Sequence, residues 1–152
     1  MELQDNYTRL YRWIKQRHHL VKNKLPPTIG VLDPDGYDDP IRFLDLSPLE
    51  QTVLVAWVLN TLAPSKGTNY TETSYSLKHY FNDSSCGFYV LNGCMKGAML
   101  VAGFTTDNIK QRNWSFNVAE ASYKNVHKTN AHTRYINLFK NRLPNKGKVS
   151  LS

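Results

Sequence analysis

Residues 73–118 read TSYSLKHYFNDSSCGFYVLNGCMKGAMLVAGFTTDNIKQRNWSFNV, and this block carries the alternation of helix and strand signals that sets the fold class. A helix is expected over 73–82, with Leu77 and Phe81 on one face. Tyr75, Lys78, His79 and Asn82 fall at i, i+3, i+4 and i+7 on another. Ser84 to Gly87 turns the chain, and Phe88-Tyr89-Val90 reads as a short strand. Asn92 is placed to cap a helix over 93–102. Gly103 follows as the residue that needs a positive φ, and Phe104 is expected to fold back onto Met99. Gly97 and Ala98 leave that helix a surface almost without side chains, suited to close approach of another backbone. Thr105 to Asn113 is a polar loop holding Lys110 and Arg112. Trp114, Phe116 and Val118 then alternate with Ser115 and Asn117, the period of a half-buried strand.

Outward from this block the chain stays punctuated. Ser47-Pro48-Leu49-Glu50 is a helix start, with Ser47 as cap, Pro48 at the first helical position and Glu50 closing a capping box. Leu49, Val53, Leu54, Trp57, Val58 and Leu62 continue that helix over 47–63, with Trp57 read as a packing residue. Pro64 to Asn69 reads as a loop. Upstream, Tyr7, Leu10, Tyr11 and Ile14 mark a basic N-terminal helix over 5–22, which Pro26 and Pro27 forbid from continuing. The acidic segment 28–46 reads as strand, turn, strand, with Ile29–Leu32 and Ile41–Leu44 flanking Asp33-Pro34-Asp35-Gly36. Its acids do not make a calcium loop, because Leu44 stands where the bidentate Glu belongs. A basic helical tail over 119–152 completes one domain, 1–152, whose core is 47–118. The expected class is α+β: a helical cluster with a small antiparallel sheet. Two helices followed by a strand also fit a winged helix-turn-helix.

Composition narrows the chemistry. With 152 residues, 41% hydrophobic, and a mean hydropathy of -0.49, the chain needs neither metal nor disulfide to bury a core. The apolar run Val53–Leu59 is too short for a bilayer, and Met1–Asn6 holds no secretory signal, so no membrane partner and a cytoplasmic location are expected. Cys86 and Cys94 lack the close Cys or His partners of a zinc site, so no metal or other cofactor is expected. The net charge is +7, unevenly spread: net +4 over 1–24, −5 over 25–64, +2 over 65–117 and +6 over 118–152. Cationic ends suit a phosphate backbone, whose condensed counterions they release. Tyr75, Lys78, His79 and Asn82, with Lys96, Lys110 and Arg112, are the candidate surface for nucleic acid or for a partner that carries it. No catalytic set is expected. His79 with Lys78 and Tyr75 has suitable acid–base chemistry for a small nuclease, but no orienting carboxylate or metal pair accompanies it.

The stretches Thr73–His79, Tyr89–Gly93, Lys96–Leu100, Ala102–Phe104 and Asn113–Val118 together resemble a family of small proteins encoded on bacterial phages, plasmids and integrative elements. The resemblance covers about a third of the chain, with the motifs in the expected order. Ser76 stands where a Gly is expected, Asn82 where an acid is common, and Cys94 is unusual; the change at Asn82 weakens any catalytic acid there. The resemblance implies a mobile-element setting in a bacterial host and supplies no mechanism. Two partners follow: DNA or RNA itself, bound by a non-catalytic accessory protein, or a nucleic-acid-bound host protein such as a CRISPR effector, inhibited in the manner of an anti-CRISPR protein.

Overall fold

The computed structural model describes residues 2–22 and 35–127. The first helix, α1 (Glu2–Gln16), buries Leu10, Trp13 and Ile14, while Tyr7 and Tyr11 stack on its flank at 6.4 Å. The expected extension to residue 22 tightens into a 3-10 turn, His18–Val21. Arg17 anchors the junction: its Nε donates to the Val101 carbonyl at 2.6 Å, and its guanidinium covers the Trp13 ring. A second 3-10 turn, Pro40–Asp45, occupies the position read as a strand at Ile41–Leu44. Pro40 at its start and an Asp39 carboxylate accepting from the Ile41 amide at 2.9 Å favour a helical turn over an extended chain. The companion run Ile29–Leu32 lies outside the described residues.

The capping box forms as its sequence dictates. Ser47 Oγ accepts from the Glu50 amide at 3.2 Å, and Glu50 Oε1 accepts from the Ser47 amide at 2.9 Å. The helix it opens, α2 (Pro48–Thr61), is buried along its whole second half. Trp57 is fully enclosed and meets Phe81 edge to face at 5.5 Å, a packing residue as expected.

The segment read as a loop after α2 is a strand, β1 (Pro64–Asn69), and it pairs antiparallel with β2 (Phe116–Val118). Pro64 faces Val118 and Asn69 faces Phe116, with an irregularity between. Ser, Gly and Thr in β1 gave turn-like chemistry. What holds it extended is tertiary: Asn117 Nδ2 donates to the Ser65 carbonyl, and Asn69 Nδ2 to the Val118 carbonyl, both at 3.0 Å. The expected strand at Phe88–Val90 is not one; Phe88 packs on Phe81 at 5.0 Å in an irregular segment. The sheet is therefore β1–β2 alone among the described residues.

The helix α3 (Ser74–Asp83) is stapled to this sheet. The Ser74 amide donates to the Trp114 carbonyl at 2.7 Å, and Ser74 Oγ accepts from the Trp114 amide at 3.1 Å. The helix α4 (Asn92–Val101) lies at the centre, packed against the 40–45 turn, the 18–21 turn, α2 and α3. Every residue from Asn92 to Met99 is buried. It ends as expected: Gly103 has φ +104°, the Phe104 amide donates to the Met99 carbonyl and the Gly103 amide to the Leu100 carbonyl, both at 3.0 Å. The molecule is an α+β single domain whose core helix has no open face. A winged helix-turn-helix would present the second helix of the α3–α4 pair to a DNA groove, and α4 is closed to that use. A final 3-10 turn, Glu120–His127, covers α2 and α3; the rest of the basic tail, 128–152, lies outside the described residues.

Candidate functional site

The site is assembled where the 35–39 turn, α3, the 89–91 segment and the end of the 105–113 loop meet over the N-terminal end of α4. The 40–45 turn holds the first of these in place. Arg42 reaches back and donates from Nη2 to the Asp35 carbonyl (2.9 Å) and from Nε to the Gly36 carbonyl (3.0 Å), while its Nη1 pairs with Asp45 (3.0 Å). That carboxylate raises the Arg42 pKa above the ordinary guanidinium value. The Gly93 amide donates to the Tyr37 carbonyl at 2.8 Å, fastening the turn to α4. Glycine is required at 93, because a Cβ there would stand inside the Asp39 backbone.

The second layer is a polar floor. Asn92, expected as a helix cap, lies one residue inside the helix and spends its amide on tertiary bonds. Its Nδ2 lies 2.9 Å from Asp38 Oδ1, 3.0 Å from Asn113 Oδ1 and 3.3 Å from the Arg112 carbonyl. Arg112 Nε pairs with Asp38 Oδ2 at 3.0 Å. Asp38 is thus held from both oxygens, its side chain only 13% exposed against 60% for Arg112. Asp38, Asn92, Asn113 and Arg112 tie together the 35–39 turn, the start of α4 and the end of the 105–113 loop.

Three tyrosine rings rise around this floor. Tyr37, Tyr75 and Tyr89 are 54%, 52% and 71% exposed, a large apolar investment left in solvent. With Asp35, Asp38, Lys78, Leu91, Asn92, Arg112 and Asn113 they line an open cleft of about 450 Å³. That is the scale of a small-molecule or single-residue site, roughly 300–1,000 Å³. Lys78 is buried along its stem, and its Nζ sits over the Tyr89 ring at 4.6 Å. Burial lowers its pKa below the ordinary lysine value, opposed by the neighbouring Cys94 thiol. Two cations and two carboxylates share the cleft, so it is not a simple anion trap.

The surface expected from the sequence is only partly gathered here. Tyr75, Lys78 and Arg112 line the cleft together. His79 is exposed beside it, its ring edge-on to Tyr75 at 4.5 Å, and is not part of the lining. The Asn82 amide donates to the Phe88 carbonyl at 2.7 Å and the Lys78 carbonyl at 3.2 Å, closing the end of α3. Lys110 is exposed on its loop, outside the cleft lining. Lys96 is fully buried, its Nζ 4.5 Å from the centre of the Trp114 ring. A cation on a helix enclosed on every side has no solvent to reach, and an aromatic face takes its place. Sequence reasoning missed Tyr37, Tyr89, Asp35, Asp38, Asn92 and Asn113. A tyrosine between acids in a glycine turn was a usable signal for the first, and Tyr89, Asn92 and Asn113 stand in the motif stretches; the acids Asp35 and Asp38 were read only as turn residues.

Among the described residues no group of three or more His, Cys, Asp or Glu could hold a metal ion, and no helix is long and apolar enough to cross a membrane. Cys86 and Cys94 are free thiols. No protein-family model, curated protein or solved structure matches this chain.

Proposed function

We propose that this chain is a non-catalytic nucleic-acid-binding accessory protein of a bacterial mobile element, and that it takes single-stranded rather than duplex DNA or RNA. The observation that carries this reading is the convergence of Tyr37, Tyr75 and Tyr89 with Lys78 and Arg112 on one cleft. Unpaired bases stack on exposed aromatic faces, at about 1–3 kcal/mol per base, while cations track the backbone. A cleft of this size admits one splayed nucleotide and not a helix. The mobile-element setting rests on the motif resemblance.

The test is fluorescence anisotropy with a labelled single-stranded 12-mer. Binding should weaken as salt rises, and Tyr75→Ala and Tyr89→Ala should each cost roughly tenfold in affinity, the lower part of the stacking range. Unchanged affinity in the double variant ends this reading. The second reading, an inhibitor of a host defence nuclease, draws on exposed Ile41 and Leu49 beside Asp45 and Glu50. It predicts a stoichiometric protein partner in a pull-down from the host lysate, whereas co-purifying nucleic acid alone favours the first reading.

A further inference from the structure

The cleft carries a carboxylate that its architecture does not use. Asp38 is consumed by Asn92 and Arg112. Asp35 is exposed on the same lining, and among the described residues its carboxylate oxygens have no hydrogen-bond partner. Its backbone is nonetheless fixed, because Arg42 clamps the carbonyls of Asp35 and Gly36. A pure phosphate site would exclude such a group, since like charges repel. A base site has a use for it.

We propose, resting on the single-strand reading above, that the cleft selects guanine, with the Asp35 carboxylate accepting from the base edge. Guanine presents two adjacent donors, N1–H and the N2 amino group, which match the two oxygens of one carboxylate. Adenine and cytosine place an acceptor nitrogen beside their amino group, and thymine or uracil flank one N–H with two carbonyls. Each of those edges turns a lone pair toward Asp35. The tyrosines supply the stacking surface common to every base, Lys78 and Arg112 supply cations for the phosphates, and Asp35 supplies the discrimination. A good bidentate contact distinguishes bases by roughly tenfold or more.

The experiment titrates the full chain with oligothymidine 12-mers that differ at one central position, holding guanine, inosine, adenine or cytosine. The guanine strand should bind roughly tenfold tighter than the adenine and cytosine strands, and inosine, which lacks the N2 amino group, should fall between. Asp35→Asn should erase the preference and bind plain oligothymidine as well as or better than the wild type, because a negative charge leaves the cleft. Wild-type binding that is equal for all four strands overturns this inference and leaves the single-strand reading standing. Binding to none of them overturns both. A guanine preference that survives in Asp35→Asn removes Asp35 from the role.

Discussion

Lys78 shows how one side chain can be legible in its position and illegible in its state. The helical spacing placed it beside Tyr75, and the structure puts both on the cleft. Nothing in the spacing revealed that its stem is buried or that its ammonium rests on Tyr89, a residue of the next segment. On the proposed single-strand reading, the consequence is a pH dependence of binding. Burial lowers the Lys78 pKa, so on raising the pH this amine loses its proton earlier than an exposed lysine. If its charge meets a phosphate, affinity is full below that lowered pKa and falls as pH rises through it. Lys78→Arg keeps its charge throughout, so it should hold its affinity at mildly alkaline pH while the wild type weakens. Parallel titrations at neutral pH and at pH values approaching the ordinary lysine range check this; matching profiles for the two proteins would remove Lys78 from phosphate contact. Lys96 marks the opposite case. Like Lys78 it is a helical lysine that follows an apolar residue, yet only the packing around α4 decides that one cation reaches a cleft and the other lies beneath Trp114.

At the scale of elements, local chemistry was a reliable guide where a single residue type does one job. The capping box at Ser47 and Glu50 and the glycine end of α4 formed as read, because each depends on contacts within a few residues. The 40–45 turn, β1 and the irregular segment at Phe88–Val90 departed from their readings because distant partners decide them. Gly97 joins the two cases. The sequence called for a close backbone approach, and the structure identifies the approaching segment: a Cβ at 97 would meet Phe43 Cβ and the Pro40 carbonyl. On an open helix Gly→Ala would stabilise by about 1 kcal/mol. Here overpacking costs about 1–3 kcal/mol, and the 40–45 turn cannot retreat without releasing Arg42 from the 35–39 turn. Gly97→Ala should therefore lower the urea midpoint and loosen the cleft together. A variant more stable than the wild type would show that the turn yields freely and does not govern the site.

The whole molecule separates two kinds of charge that composition adds together. The net charge of +7 comes largely from the ends of the chain, whereas the cleft balances Lys78 and Arg112 against Asp35 and Asp38. A charge sum cannot reveal this, because the 35–39 turn folds onto the cationic end of the 105–113 loop through the Asp38–Arg112 pair. Enclosure of α4 adds a second constraint, since the helix best placed to read a duplex has no free face. On the proposed single-strand reading, affinity should therefore split into a salt-sensitive part from the basic tail and a salt-insensitive part from the tyrosines. Replacing Lys128, Arg134, Lys140, Arg142, Lys146 and Lys148 with Gln tests the split. For a single strand, each cation that neutralises a phosphate contributes about 0.7 to the log–log salt slope, so the slope should fall by several units if these six engage the strand. The fold-loss caused by Tyr89→Ala should be the same with or without the tail charges, because stacking does not draw on counterion release. A duplex of equal length should follow the tail alone: weaker than the single strand, steeply salt-dependent and indifferent to Tyr89. A duplex that binds as tightly as the single strand and loses affinity with Tyr89→Ala would mean that the cleft reads paired DNA, and the enclosed α4 would then have no bearing on recognition.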